Sequence, residues 1–262
     1  MFPLLNLKNK HANDTRITFD SQKHEYFVDG ISIKYSVTGL IEKFFPKFDA
    51  EYWSNKKAIE RIQMEDGKLT QENISEVKKE ILLEWENNRK DAADKGNILH
   101  EKIENFYNHI EDTIDAPEFT YFKQFISKYP NLKPYKTEWR IFDDSLSLAG
   151  SIDMVYEKDN GELFLFDWKR STKIVNGAGH LIESDFDYGF DELSHIADNS
   201  YNRYSLQLNL YKYIIETNYG KKISSMNLLI LHPHFHTYFY LKIPILENET
   251  KFLINAARNK FI

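Results

Sequence analysis

Two apolar runs, each interrupted by an aspartate and joined by a tight turn, constrain this chain most. Leu148–Glu157 reads Leu-Ala-Gly-Ser-Ile-Asp-Met-Val-Tyr-Glu, the turn is Lys158-Asp159-Asn160-Gly161, and the second run reads Leu-Phe-Leu-Phe-Asp-Trp-Lys over 163–169. A three-residue loop of Asp159, Asn160 and Gly161, with Gly last, suits a type I turn followed by a left-handed residue. That loop centres on Asn160, so Asp153 faces Asp167, with Cβ atoms roughly 4.5–5.5 Å apart. Strand alternation puts Lys169 beside Asp167 and turns Trp168 away. A different loop length would shift the pairing. Opposed carboxylates repel each other, and a divalent cation between them removes the cost; oxygen ligands of this kind suit magnesium or manganese. The other reading is a solvated polar face, but Asp is disfavoured in strands, and both acids interrupt strongly apolar stretches. Gly150 suggests a close backbone approach.

The surrounding pattern is mixed. Ile17-Thr-Phe, Glu25-Tyr-Phe-Val and Ile31-Ser-Ile read as short strands, with Asp29-Gly30 as a hairpin turn. Ser36 or Thr38 caps a short helix to Phe45. Residues 50–64 and 72–110 are helical, the latter as one helix or as two broken at Gly96. Pro117 opens a helix to about Tyr129. Strands follow at about 135–142, 147–157 and 162–169. Residues 171–199 form a long irregular loop, a kind usually functional or mobile. A helix over 201–218, strands at 225–232 and 237–243, and a closing helix over 247–260 complete the chain. We expect residues 1–94 to form strands and helices covering a cleft, and 95–262 to form the core.

The 262 residues contain no cysteine, which excludes disulfides, thiolate zinc and iron–sulfur clusters. No run is long enough to span a membrane, and the stretch opening at Met1 is too short for a signal peptide. An intracellular protein is expected, cytoplasmic or nuclear, with a mitochondrial location also open. The net charge of −6 counts mildly against nucleic acid, although a basic groove can sit on an acidic body. No phosphate-loop motif, H-E-x-x-H or G-x-S-x-G is present.

His100 shares a helix face with Ile103 and Glu104, one turn after Gly96. Gln207 and Tyr211 stack at i, i+4, with Leu206, Leu210 and Tyr213 on the buried side. His232, His234 and His236 would put three imidazoles together if they continued a strand, but Pro233 opposes that. Lys43, Lys47, Lys56, Lys57 and Arg61, interleaved with Phe44, Phe45, Tyr52 and Trp53, read either as a single-strand binding surface or as a solvated amphipathic face.

Four segments occur in order on a helix, three strands, helix, strand pattern: Gly96 to His100, Gly150 to Asp153, Asp167 to Lys169, and Gln207 to Tyr211. Together they resemble the PD-(D/E)XK nuclease superfamily, and within it the RecB-like exonuclease branch, over about 95–235. Tyr35-Ser-Val-Thr-Gly-Leu-Ile and Phe48-Asp49 are similar to the mitochondrial-type group. The resemblance implies an α/β, restriction-endonuclease-like αβββαβ core, with a central mixed sheet flanked by helices and a helical N-terminal region. It implies a DNA nuclease, an exonuclease on single-stranded DNA or DNA ends, in replication, repair or recombination. Asp153 and Asp167 would ligate one or two magnesium or manganese ions, helped by the Trp168 carbonyl and His100. Lys169 would act on the water or the phosphate. Glu138 would be a support or second-metal residue. Gln207, Tyr211, Arg170 and Ser171 would contact DNA or brace the site. A separate helicase or replication protein would be the partner. The alternatives are an RNA endonuclease of the cap-snatching type and a non-catalytic nucleic-acid-binding module.

Overall fold

The computed structural model describes residues 4–65, 67–183 and 186–259. The chain divides into a larger unit, Met1–Pro46 with Ile98–Ile262, and a smaller one, Lys47–Asn97.

The smaller unit holds helix α3 (Ala50–Met64) and most of α4 (Gln71–Tyr107). Asp49 caps α3 by accepting the Tyr52 N–H. Ala58, Ile62 and Ile81 are its buried apolar side chains, and Arg61 reaches Glu84 at 2.9 Å. Helix α4 runs through Gly96 unbroken. One glycine costs only about 1 kcal/mol in a helix interior, less than a long run of Glu, Lys and Leu supplies.

In the larger unit, helix α1 (Leu4–Lys8) precedes a three-stranded antiparallel sheet of β1 (Ile17–Asp20), β2 (Glu25–Val28) and β3 (Ile31–Ser32). Strand β4 (Tyr35–Ser36) leads into α2 (Val37–Glu42), capped by Ser36. Helix α5 (Phe119–Lys128) precedes three long strands, β5 (Lys133–Asp143), β6 (Leu148–Glu157) and β7 (Leu163–Lys169). Then come α6 (Ser200–Asn218), β8 (Ile223–Ile230), β9 (Phe239–Lys242) and α7 (Glu247–Asn259). Lys260, the expected end of α7, and Met1–Pro3 at the start lie outside the described residues.

The turn chemistry sets the hairpin. Lys158 N–H donates to the Glu162 carbonyl at 2.8 Å, Gly161 N–H donates to Lys158 at 3.0 Å, and Gly161 takes φ +79°. The resulting register pairs Met154 with Phe166 and Glu157 with Leu163. Helix α6 then crosses over so that β8 lies parallel to β7, as a parallel pair requires. The result is a mixed six-stranded sheet in the order β4-β6-β7-β8-β9, with β5 along the other edge of β6. Val155, Leu165 and Leu228 join one apolar cluster with α2, α6 and α7. Met154, Phe166 and Trp168 join another with Leu99, Ile103 and α5. Helices thus cover both faces, as a sheet apolar on both sides demands.

Candidate active site

Strand β5 lines the whole of one edge of β6. The other edge is shared, with β4 pairing at Leu148 and Ala149 and β7 only from Met154 onward. Between these ladders β6 is unpaired on that side, and Asp153 lies in the gap. Carried one residue past its last pair, the β6–β7 register sets Asp153 against Asp167, and the β5–β6 register sets Glu138 against Asp153. Three acids on adjacent strands therefore form a row across the sheet. Where the strands part, Asp153 Oδ2 accepts the Trp168 backbone N–H at 2.8 Å, so the carboxylate satisfies a donor the ladder has released.

The strands are distorted here. Glu138 adopts φ +44° in mid-strand, a conformation that costs about 1–3 kcal/mol for such a residue and recurs at functional sites. Opposite it the facing of β6 changes. Gly150 faces α6, and Ile152 and Val155, three apart, join the same cluster, whereas unbroken alternation would separate them.

His100 enters from the end of α4. Its Nε2 lies 3.0 Å from the Trp168 carbonyl. A carbonyl only accepts, so Nε2 carries a proton and Nδ1 faces Asp153 at 3.7 Å and Glu138 at 3.8 Å. Ligand atoms of His100, Glu138 and Asp153 lie within 4.8 Å of one another. Asp167 is outside this triad. Its Oδ1 accepts from Gln207 Nε2 at 3.3 Å. Its Oδ2 is 2.6 Å from Lys169 Nζ, yet among the described residues this buried oxygen has no well-aligned hydrogen bond. Lys169 also lies 4.4 Å over the Tyr204 ring.

The charges are under tension. Burial pushes the Asp167 carboxyl up to about 6, with Asp153 adding to the rise and Lys169 opposing it. Burial also raises Asp153, against the pull of His100 and Lys169. For His100, burial lowers the pKa, but Asp153 and Glu138 outweigh it and raise the imidazole to about 9. Lys169 is likewise pushed down by burial and, more strongly, up by Asp167 and Asp153. Burial and Glu138 raise Glu104, one turn after His100, to about 7. Crowded carboxylates with hard oxygen donors beside one imidazole, their ligand atoms within 4.8 Å of one another, fit a divalent cation.

Gln207 and Tyr211 connect the motifs from behind. Both are buried, and Gln207 Nε2 donates to Tyr211 Oη as well as to Asp167. A Cβ on Gly150 would lie 2.5 Å from Tyr211 Cε1, so the glycine is there to admit this ring. Helix α6 is buried nearly all round, so its periodicity does not distinguish a site face from a core face. Arg170, also expected at DNA, is ion-paired with buried Glu118. Ser171 Oγ accepts the Lys173 N–H.

Other expected features disperse. Strand β8 ends before His232, and the only group of potential metal ligands among the described residues is the triad above. In the basic–aromatic stretch Phe44 and Phe45 are core, while Tyr52 and Trp53 are exposed. Tyr204 was not foreseen, although its spacing of three from Gln207 signals a shared helix face.

The acid row, a neighbouring lysine and a helix-borne histidine come together at one end of the central sheet. The chain belongs to the PD-(D/E)XK nuclease superfamily, whose sequence model matches residues 57–259. The fold is the α/β arrangement with a central mixed sheet flanked by helices that this family implies. Sixteen solved chains match it significantly. One is the crystal structure of SSO0001, at 12% identity over 87% of this chain and 75% of that one, with a TM-score of 0.33. No curated protein matches significantly. Among the described residues no helix is long and apolar enough to cross a membrane.

Proposed function

We propose that the protein hydrolyses phosphodiester bonds in DNA with magnesium or manganese, as an exonuclease on single-stranded DNA or DNA ends. The observation that carries the nuclease reading is the acid row Glu138, Asp153, Asp167, with His100 on one flank and Lys169 on the other. Asp153 and Asp167, with the His100 Nδ1 and the Trp168 carbonyl, would hold the cation, and Glu138 would support it or a second ion. When bound, the cation supplies activation of water and neutralisation of phosphate charge. Lys169, held protonated by its two acids, donates to the attacking water or to a phosphate oxygen; in that state it cannot act as the base. Asp167 and Asp153 orient Lys169. Gln207 fixes Asp167, Tyr211 fixes Gln207, and Trp168 N–H fixes Asp153. The DNA and exonuclease parts rest on the order of the four motifs and on the Gln207–Tyr211 helix, which resemble the RecB-like branch. Participation in replication, repair or recombination follows from that resemblance.

The test is incubation with end-labelled single- and double-stranded DNA and RNA in magnesium, manganese or EDTA. Metal-dependent release of label from a DNA end is expected, and lost in Lys169→Ala. Internal cuts first would overturn the exonuclease assignment, RNA cleavage alone the DNA assignment, and activity unchanged in Lys169→Ala the site itself.

A further inference from the structure

The segment that follows the site strand carries all of the chain's net charge. The sequence holds 40 Asp and Glu against 34 Lys and Arg; six of the acids and none of the bases fall in residues 174–202. The remainder balances 34 against 34. Within this acidic stretch Phe186, Tyr188 and Phe190 are 89%, 43% and 48% exposed. They alternate in sequence with Asp187 and Gly189 around the Tyr188 bridge.

The rings are presented by a fixed backbone. Tyr188 bridges Ala197, Gly189 N–H donates to Ile196 at 2.9 Å, Asp198 N–H to Asp187 at 2.7 Å, and Phe190 N–H to Phe44 at 2.8 Å. Leu193 anchors the end of the segment in the core. Gly189 packs so tightly that a Cβ would lie 2.6 Å from the Leu193 carbonyl. Exposed Asp187, Asp191 and Glu192 lie next to the rings in sequence, with Lys43 and Lys251 sharing the cavity beside Phe190. Aromatics that stack on single-stranded nucleic acid sit in positive grooves; here the carboxylates repel phosphate. Exposed aromatic residues are the usual anchors of protein interfaces, and complementary charge selects the partner.

We infer that residues 186–192 form a docking strap for a protein partner that presents an apolar groove rimmed by Lys and Arg. Asp187, Asp191 and Glu192 pair with the rim, and Phe186, Tyr188 and Phe190 enter the groove. None of these residues touches the acid row, so docking and cleavage are separable.

The probe is a fluorescently labelled amphipathic peptide with a leucine face bordered by lysines, titrated with the full chain. Two controls are the same peptide with glutamate for lysine, and oligo-dT. The basic peptide is expected to bind, with affinity falling as salt rises. Affinity should drop at least tenfold in the Phe186→Ala/Tyr188→Ala/Phe190→Ala triple variant and in Asp187→Lys/Asp191→Lys. Both variants should keep wild-type cleavage of a short oligonucleotide, a separate readout of the nuclease reading. Three results would overturn the strap: no binding of the basic peptide, equal binding of both peptides, or oligo-dT binding lost in the triple variant while peptide binding persists. The last would make it a base-stacking platform.

Discussion

The β6–β7 hairpin has two ends that treat acids in opposite ways. At the turn, Glu162 meets Lys222 at 2.8 Å and Lys158 at 3.1 Å, and its carboxyl is lowered to about 2, chiefly by Lys222. Fifteen Å or so along the same strands at about 3.3 Å per residue, Asp153 and Asp167 are raised instead, chiefly by burial. The turn end has its ladder closed and its charges in water. The site end has its ladder open, a left-handed Glu138 opposite, and carboxylates crowded out of solvent. One end holds the hairpin together, and the other gives up stability to keep charges that a cation can use.

The largest effect that sharpens this contrast is on activity. Lys169→Ala should lower kcat at least about 10²–10³-fold, the scale of losing one charge-stabilising group in a water-excluded site; it also strips buried Asp167 of its cation, so the melting temperature should fall as well, and activity is compared well below it. Next, Gly150→Ala should cost about 1–3 kcal/mol as an overpacking change. At about 2–4 °C per kcal/mol for a chain of this size, a thermal scan should show a clear drop, and metal-dependent cleavage should fall with it. Pairing it with Tyr211→Leu should restore part of the stability. No loss of stability in Gly150→Ala would break the connection drawn between α6 and the site.

Asp153→Asn should act in the opposite direction. Its amide oxygen can still accept the Trp168 N–H, and a buried negative charge is removed. Burial penalises that charge, so in EDTA the variant should melt higher than wild type. Wild type should gain stability from manganese by mass action, and the variant should gain little. A variant that melts lower in EDTA and still responds to manganese would refute the crowding argument.

The pH dependence follows from the same groups. Folded Asp167 keeps its proton to about 6 and folded His100 to about 9, both above ordinary values of about 4 and 6.5. Over the windows of roughly pH 4–6 and 6.5–9 the folded state binds more protons than the unfolded one. The metal-free protein therefore loses stability as pH rises through each window. Ligation requires deprotonated groups, so apparent manganese affinity should rise with pH over the same range. Melting curves at pH 6, 7.5 and 9, with EDTA and with manganese, should diverge. Parallel curves would contradict the assignment.

Much of this was legible in the residues, for reasons that differ along the chain. Asp159-Asn160-Gly161 pointed to the hairpin register because Gly in last place suits a type I turn followed by a left-handed residue, and Gly161 takes φ +79°. The helix, three strands, helix, strand order followed from local periodicity. What stayed hidden depends on partners distant in sequence. Arg170 reads as a free cation until Glu118, on the approach to α5, takes it. Gln207 and Tyr211 read as an exposed pair until α6 is seen packed on all sides. The two-residue strand β4 has too few residues for any pattern, yet it closes the edge of β6 that leaves Asp153 in a gap. Glu138 gives no sign in sequence of its left-handed backbone.

The smallest effect probes the turn end. Glu162→Gln removes a carboxylate paired with Lys158 and Lys222 in solvent-accessible positions, where such pairs contribute little and are screened by salt. Its Gln side chain can still accept from one lysine, and the backbone bonds that close the turn, from Lys158 to Glu162 and from Gly161 to Lys158, do not involve it. The melting temperature should therefore move by less than the shift in Asp153→Asn, and cleavage should be unchanged. A larger loss than that, abolished by high salt, would show that charge rather than the Gly161 turn sets the hairpin. The contrast between the two ends would then reduce to the sign of their ion pairs.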